Sequence, residues 1–297
     1  MTEELPRRET HYFTNVSDSA RWDHFAGRDT DIFLCTPPKA GTTWTQTLCC
    51  LLLFGWREFD IRPSDISPWY DATFEPVVEV INALIEAQDH RRLLKTHTAL
   101  DGIPYSSQRT FVTVYRDPRD VYFSALNHKD NVTLNDFSIS PEDDISAPFK
   151  EWVQAPAGNG GPASGSLERF IVHFKSFKRF SHLANLHYFH YSDMKRDLPA
   201  AIAGLAGVLG IEVTQDDIAQ MSRITDFQNM RKNAAQFAPD AKADMWKSNE
   251  QFFNKGTGGQ WRDTLSTEDL ALYDERMSDL LPVEDIAWLH HGAIQQT

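Results

Sequence analysis

The chain has 297 residues, 41% of them hydrophobic and 24% charged, which predicts a globular protein with a sizeable apolar core. Its formal net charge of −13 argues against nucleic acid or an anionic membrane as the main partner, because both bind basic surfaces. No apolar run reaches the roughly twenty residues of a membrane span, and the first residues lack the apolar core of a secretory signal.

The three cysteines point to a reducing compartment. Cys35, Cys49 and Cys50 lie in apolar contexts and lack the spacing of metal ligands. We therefore expect buried, reduced thiols in a cytoplasmic protein.

In chain order, residues 1–20 are predicted to be a loosely held arm and residues 21–297 a single domain. The first predicted strand, Ile32–Cys35, leads into the segment TPPKAGTTW, residues 36–44, and then into an apolar helix. Backbone N–H groups of such a turn, the helix N-terminus and Lys39 all favour a phosphate or sulfate-like group. The lysine precedes the glycine by two residues, so this is not a Walker A loop. Taken alone, the loop is also compatible with an ordinary strand–turn–helix corner.

Three further β-rich runs, near Arg92–Thr96, Thr110–Tyr115 and His187–Tyr191, alternate with helical stretches. This alternation predicts an α/β domain with a central parallel sheet flanked by helices. Each run ends where a polar motif begins, and open parallel sheets bind ligands beyond the carboxyl ends of their strands. Residues 127–166 are acidic and then rich in glycine and proline, which predicts a flexible loop or lid.

Six motifs of this chain, in the same order, resemble those of the cytosolic-type sulfotransferases, which use 3′-phosphoadenosine-5′-phosphosulfate (PAPS). The motifs are PKAGTTW at 38–44, KTH at 95–97, Arg116 with Ser124 eight residues later, YSDM at 191–194, TDFQNM at 225–230 and KGTGGQW at 255–261.

The resemblance implies a P-loop-like loop for the phosphosulfate and in-line transfer of a sulfuryl group from PAPS to a hydroxyl or amine, leaving PAP, without a metal. It implies that His97 is the general base and that Lys39 stabilises the leaving phosphate, assisted by Lys95. Ser124 and Arg116 are expected to bind the 3′-phosphate, and Ser124 is also counted with the catalytic residues. The implied donor site comprises Lys39, Ala40, Gly41, Thr42, Thr43, Trp44, Arg116, Ser124, Tyr191, Thr225, Phe227, Phe252, Phe253, Lys255 and Gly256.

Within that set, Trp44 and Phe227 are expected to pack on the adenine, with polar contacts from Tyr191 and Thr225. The chain departs from the family pattern at Asn254, where an arginine is usual, which puts one contact to the 3′-phosphate in doubt. Ala40 likewise stands where a serine is common. The dimer motif of the family is not recognisable after residue 261, so the sequence does not predict the oligomeric state.

The acceptor is the least constrained part of the prediction. The aromatic segment Ile66–Asp71, with Phe74 and Pro76, is predicted to form an acceptor wall for an aryl, sterol or lipid-linked alcohol. The chain looks most like actinobacterial sulfotransferases that act on glycolipids, so a small-molecule or glycolipid acceptor is expected. Two alternatives stay open: a nucleoside or small-molecule kinase, which has no need of a 3′-phosphate site, and a non-catalytic nucleotide-binding relative, which has no need to retain both His97 and Lys39.

Overall fold

The structure is a computed structural model that describes residues 4–57, 59–74, 76–133, 145–158, 165–239 and 245–293. Within these ranges it contains four strands in one sheet, fourteen α-helices and three short 3-10 helices. The strands are β1 Ile32–Cys35, β2 Leu93–Thr96, β3 Thr110–Tyr115 and β4 Leu186–His190. The helices are α1 Thr42–Phe54, α2 Pro63–Ile66, α3 Val78–Glu86, α4 Pro118–Asp130, α5 Ser146–Gln154, α6 Leu167–Lys178, α7 Tyr191–Arg196, α8 Leu198–Leu209, α9 Gln215–Ile224, α10 Phe227–Lys232, α11 Ala234–Phe237, α12 Asn249–Phe252, α13 Thr267–Leu280 and α14 Val283–His291. The 3-10 helices are Ser19–His24, Leu100–Gly102 and Gln260–Asp263.

The sheet is parallel throughout, with the strand order β2-β1-β3-β4. The prediction of a central parallel sheet flanked by helices is thus confirmed, and each strand bound lies within one residue of its prediction. The last predicted strand ends one residue early, because Tyr191 opens α7 after His190, whose side chain accepts the N–H of Ser192. The carboxyl ends of the strands therefore lie along one edge of the sheet.

Both faces of the sheet are covered, as expected for a parallel sheet whose strands are apolar throughout. Ile32 and Leu34 of β1 pack into a cluster with α1 and α8, whereas Phe33 and Cys35 pack on the opposite face beside Trp22. A third cluster joins α4, α5, α6, α13 and α14. With both faces buried, the strand ends are the part of the sheet that is left to meet a ligand.

A buried ion pair fixes the other end of the sheet. Arg92, just before β2, donates to both carboxylate oxygens of Asp31, just before β1, at 2.7 Å each. Both side chains are fully buried, and Arg92 also donates to Glu86 at 3.0 Å. Such a bidentate pair holds the amino ends of β1 and β2 in register, away from the edge where the predicted motifs lie.

Part of the range predicted as a loop or lid, 127–166, is helical. α4 continues to Asp130, and α5 buries Phe149, Trp152 and Val153 on the side that packs against α13 and α6. This helical spacing of apolar residues explains why α5 forms there. Residues 134–144 and 159–164 lie outside the described residues, so a lid stays a prediction.

The N-terminal segment, predicted as a loose arm, is described from residue 4 onward and contacts the domain. The N–H groups of Glu9 and Thr10 donate to the carbonyl of Asp101, and the Tyr12 hydroxyl donates to its carboxylate at 2.9 Å. Tyr12 is only 8% exposed. Nothing in the sequence of this segment predicts these contacts. Across the described ranges, no helix is both long enough and apolar enough to cross a membrane.

Candidate active site

The loop of residues 36–41, called the anion loop below, leads from β1 into the N-terminus of α1. Lys39 has a φ of 65°, a positive value shared by no other non-glycine residue in the described part of the chain. Gly41 has a φ of 114°, and a Cβ there would lie 2.9 Å from Tyr191 Cδ2, so both backbone and space require glycine. No described side chain caps the first N–H groups of α1. These groups and the helix dipole are therefore available to an anion.

Three cations lie at the carboxyl ends of the three adjacent strands. Lys39 follows β1, Lys95 is the penultimate residue of β2, and Arg116 directly follows β3. Burial, and then the charges of Lys95 and Arg116, lower the pKa of Lys39 to about 7. An anion bound among these side chains would relieve their mutual repulsion. The arrangement therefore favours a phosphate or sulfate group at this edge, although the chain as a whole is acidic.

Lys39 is held by His128, a residue outside the sequence motifs. Lys39 Nζ donates to His128 Nδ1 at 2.9 Å and lies 5.0 Å from the ring centre of Phe252. Burial, and then the charge of Lys39, lower the pKa of His128 well below its ordinary value, which keeps this ring neutral and able to accept. His128 also packs against Phe252 and Trp246, with ring centroids 5.8 and 4.8 Å apart. Phe252, a predicted donor residue, thus lies beside Lys39.

One face of α4 carries Asp120, Ser124 and His128 at intervals of four residues, the spacing that places side chains one above another on a helix. Ser124, predicted to bind the 3′-phosphate, is partly buried on this face, one turn before His128. Asp120 lies 3.8 Å from Arg116 Nε and accepts the N–H of Gly259 at 2.7 Å. The interval of four residues from Ser124 is the sequence signal that could have found His128.

Arg116 is held in place by its contacts, and one of its N–H groups has no hydrogen-bond acceptor among the described residues. It is 8% exposed, its Nη2 donates to the carbonyl of Thr257 at 3.2 Å, and its guanidinium lies 4.5 Å from the ring centre of Tyr191. Its Nε is buried without a hydrogen-bond acceptor among the described residues. A planar, pre-positioned guanidinium of this kind is suited to bind a phosphate.

An aromatic surface adjoins the anion loop. The rings of Trp44 and Tyr191 meet edge to face, with centroids 5.5 Å apart, and Trp44 Nε1 donates to the carbonyl of Thr225 at 3.0 Å. The Thr225 hydroxyl donates to the carbonyl of Met221 at 2.8 Å, so its oxygen remains able to accept. Flat aromatic side chains next to a phosphate site are suited to stack with a nucleotide base.

The loop after α12 closes the site from the C-terminal side. Gly256 has a φ of 63°, and a Cβ there would lie 2.4 Å from Phe227 Cδ2, so the loop packs directly against this predicted adenine contact. Lys195, which the sequence motifs do not include, donates to the carbonyl of Gly256 at 2.5 Å. Two predicted donor residues are placed differently from the rest. Lys255 is exposed, and Phe253 is 9% exposed within an apolar cluster of α10 and α11.

His97, the predicted base, directly follows β2. Its Nδ1 lies 2.7 Å from the carbonyl oxygen of Thr36 in the anion loop. Because a carbonyl oxygen only accepts, this contact assigns the proton to Nδ1 and leaves a lone pair on Nε2. Burial, and then the charge of Lys95, lower the pKa of His97 well below its ordinary value. His97 is thus a neutral imidazole that can accept a proton at Nε2.

Buried Asp71 fixes the backbone on both sides of His97. Its Oδ2 accepts from the hydroxyls of Thr96 and Thr98 at 2.7 and 2.6 Å, and from Trp22 Nε1 at 3.0 Å. The two threonines flank His97 in sequence, so the carboxylate anchors the residue before and the residue after the base.

His97 lines a cavity of about 410 Å³ that also reaches Pro37 and Pro38 of the anion loop. This volume is in the range of small-molecule sites. The remaining walls come from the N-terminal segment, from α4 and α5, and from α6 with the residues before it. The lining is largely apolar and aromatic, with Arg169 and His173 of α6 among its polar members. We call this space the acceptor cavity.

The acceptor wall at 66–71 stays a prediction, and Trp69 is the residue of this described segment that lines the cavity. Trp69 lines the cavity and packs against His97, with ring centroids 4.7 Å apart. Tyr70 is fully buried and stacks on Trp22 in the core, Asp71 is buried as described above, and Phe74 is 45% exposed. The segment runs beside β2 through a bridge between Trp69 and Lys95. A turn follows this bridge, with the Ala72 N–H donating to the Trp69 carbonyl, and Tyr70 within the turn packs in the core rather than beside Trp69.

Among the residues that the structure describes, no group of three or more histidine, cysteine or acidic side chains is placed to hold a metal ion. The side chains that converge here offer anion binding beside a neutral base, with an apolar cavity in front of that base.

Comparisons with known proteins identify the family and the fold of the chain. A family model for the sulfotransferase domain matches residues 29–283. A glycolipid sulfotransferase of Mycobacterium bovis (strain BCG / Pasteur 1173P2) is 32% identical over 95% of this chain and 94% of its own length. An amine sulfotransferase of Oryctolagus cuniculus is 25% identical over 86% of this chain and 84% of its own. In fold, the chain is similar to a retinol dehydratase in complex with androsterone and the inactive cofactor PAP, with a TM-score of 0.74, 21% identity and coverage of 89% and 84% of the two chains. It is also similar to a mouse sulfotransferase complexed with PAP, with a TM-score of 0.70, 20% identity and coverage of 90% of each chain.

Proposed function

We propose how this chain, which belongs to the sulfotransferase domain family, carries out PAPS-dependent sulfuryl transfer. The observation that carries the proposal is the convergence of Lys39, Lys95 and Arg116 at one sheet edge, directly beside the neutral base His97. Family membership removes the kinase alternative that the sequence left open. The unprotonated Nε2 of His97 supports a catalytic protein rather than a non-catalytic relative.

The residues present fit the two anionic ends of PAPS, which supplies the sulfuryl group and a phosphate leaving group. We assign the phosphosulfate to Lys39, Lys95 and the N–H groups of α1, which are uncapped within the described ranges. We assign the 3′-phosphate to Arg116, whose buried Nε has no described acceptor, together with Ser124. The adenine is assigned to the aromatic surface beside the anion loop, formed by Trp44, Tyr191, Thr225 and Phe227.

His97 is proposed to take the proton of the acceptor hydroxyl at Nε2, while Nδ1 stays bonded to the Thr36 carbonyl. The acceptor oxygen then forms its bond to sulfur as the bond from sulfur to the leaving phosphate oxygen breaks. The charges of Lys95 and Lys39 both lower the pKa of His97. A bound donor anion would offset these charges and so make His97 a stronger base. Lys39 would stabilise the negative charge that develops on the leaving phosphate.

For the acceptor, we propose a hydroxyl of a glycolipid. The supporting observations are the 32% identity to the mycobacterial glycolipid sulfotransferase and the largely apolar cavity in front of His97. We also propose a cytoplasmic location, which is supported by three free cysteines that are all buried.

The test is a thermal-shift panel of PAP, ATP and ADP, followed by turnover of PAPS with a glycolipid acceptor and mass spectrometry of the product. Of the three nucleotides, only PAP should stabilise the protein, by about 2.7 kcal/mol at a hundredfold excess over its dissociation constant. The product should gain one sulfuryl group. Equal stabilisation by all three nucleotides, or a product that gains a phosphoryl group, would contradict the proposal.

A further inference from the structure

His173 of α6 lines the acceptor cavity with a ring that is held in place. Its Nδ1 lies 3.0 Å from the hydroxyl of Tyr115, and its ring stacks on Phe177, with centroids 5.0 Å apart. The side chain is 4% exposed. The Tyr115 hydroxyl contacts Nδ1, which leaves Nε2 as the ring nitrogen without this contact in a residue that lines the acceptor cavity.

Nε2 of His173 is buried and finds no hydrogen-bond partner anywhere in the described ranges. An unpaired buried nitrogen is costly, and buried polar groups in native proteins normally have a partner. Buried His190, away from this cavity, follows the rule, with Nε2 3.0 Å from the Leu289 carbonyl and Nδ1 accepting from Ser192. Burial, and then the charge of Arg169, lower the pKa of His173 to about 3. The unpaired nitrogen therefore belongs to a neutral ring.

The unpaired nitrogen is close to the reacting centre. His173 and His97 line the same cavity, and a charge on His173 lowers the pKa of His97. Trp69, which packs against His97, also lines the cavity, and its Nε1 is buried without an acceptor among the described side chains and backbone. Two unpaired polar atoms thus belong to residues that line this cavity together with His97.

We infer that His173 Nε2 binds a second hydroxyl of the acceptor, next to the hydroxyl that is sulfated, so that the enzyme selects sugar-like polyols over monohydroxy alcohols. A hydroxyl satisfies either tautomer of His173, because it both donates and accepts. Trp69 Nε1, which only donates, is suited to a further acceptor oxygen. The inference rests on the proposed function and narrows its substrate class to acceptors with neighbouring hydroxyls.

The test compares two acceptors that share an eight-carbon chain, n-octyl β-D-glucoside and 1-octanol. Two variants separate the ring nitrogens: the amide of His173→Asn reaches about as far as Nδ1 and keeps the Tyr115 contact, whereas the amide of His173→Gln reaches about as far as Nε2. His173→Asn should lower kcat/KM for the glucoside about tenfold and leave that for octanol within about twofold. His173→Gln should restore most of the loss.

The ratio of kcat/KM for the glucoside to kcat/KM for octanol is measured on one preparation of each variant. A smaller folded fraction lowers both values equally and so leaves the ratio unchanged. The KM for PAPS should stay constant in all variants. An unchanged ratio in His173→Asn, with both acceptors still sulfated, would overturn this inference alone. A wild-type protein that binds no PAP and sulfates no acceptor would overturn the proposed function, and this inference with it.

Discussion

Burial lowers the pKa of basic side chains in both halves of the site, but the consequence for ligand binding differs between them. In the donor half, formed by the anion loop with Lys95 and Arg116, burial crowds positive charges and lowers the pKa of Lys39 to about 7. In the acceptor half, formed by the acceptor cavity, burial keeps His97 and His173 neutral by lowering their pKa values. The first half becomes more stable when an anion arrives, and the second keeps nitrogen lone pairs ready for hydroxyl groups.

The halves are joined at His97. Its ring belongs to the acceptor cavity, but its Nδ1 is bonded to Thr36 of the anion loop, and Lys95 lies two residues before it. Lys95 Nζ also lies 4.7 Å from the ring centre of Trp69, which packs on His97. Charge in the donor half therefore acts directly on the base in the acceptor half. The following variants separate the two halves, in order of decreasing effect.

His97→Ala should cause the largest loss of activity, and this loss should come from the acceptor half of the site alone. Turnover should fall by roughly two to four orders of magnitude, because the imidazole proposed to take the hydroxyl proton is removed. Affinity for PAP should persist, since this ring is not assigned to the donor. The measurements are steady-state sulfation and calorimetric titration with PAP, with His24→Ala at an exposed position as the control. Near-normal turnover would remove His97 from its role.

Lys39→Ala should act mainly on the rate although it lies in the donor half. The ammonium should contact the leaving phosphate more strongly in the transition state than in the ground state. We expect a loss of roughly two to three orders of magnitude in kcat, against a smaller loss in PAP affinity. Single-turnover rates at saturating PAPS, compared with PAP titrations, measure the two effects. If affinity is lost and the rate per bound donor is unchanged, Lys39 only anchors the donor.

Arg116→Ala should remove most of the preference for PAP over AMP, which lacks the 3′-phosphate. Because Asn254 replaces the usual arginine of the final loop, Arg116 should carry an unusual share of this recognition. The cost should be about 1.5–3 kcal/mol, as for one charge-assisted hydrogen bond. Calorimetric titrations with PAP and AMP measure this loss of binding free energy. The matched gain-of-function variant, Asn254→Arg, should raise the affinity for PAP. Equal affinity of the native protein for PAP and AMP would contradict the donor assignment.

The donor half could be predicted because short motifs carry it. Lys39, Lys95 and Arg116 each lie at the end of an apolar strand, so a parallel sheet brings them to one edge. The sequence did not predict His128, whose contact with Lys39 joins two elements distant in the chain, nor Lys195 at the final loop. The four-residue interval places His128 on the same face of α4 as Ser124, but the residues that this face and α7 meet depend on tertiary packing, which local pattern does not specify.

The acceptor half could be predicted only at Trp69 and His97. The rest of its wall comes from the N-terminal segment, α5 and α6, which meet through tertiary packing alone. The hydrogen bond from Tyr12 to Asp101 joins residues far apart in a stretch without periodic pattern. His173 looks in sequence like one more residue of an amphipathic helix, and only its unpaired nitrogen in the folded protein distinguishes it.

The smallest effect that we predict, for a change of one pH unit, is a pH dependence confined to the donor half. Free Lys39 has a pKa of about 7, while an anion beside it would return the pKa toward its ordinary, higher value. Binding above pH 7 must then take up a proton, so PAP affinity should be greatest below pH 7. It should fall up to about tenfold per pH unit as the pH rises from 7 to 9. His128, which contacts Lys39, does not add to this slope, because it stays neutral across this range.

Calorimetric titrations of PAP in two buffers with different ionisation enthalpies measure both the affinity and the proton uptake. Lys39→Met is the matched control, since it keeps the length of the side chain without a titrating group. Its affinity should be lower than that of the native protein and should not change between pH 7 and pH 9. In the native protein, an affinity that is constant over this range, with no proton uptake, would show that Lys39 keeps its proton without the donor. The three cations would then be balanced by a charge within the protein. The difference between the two halves would in that case not include a lowered pKa of Lys39.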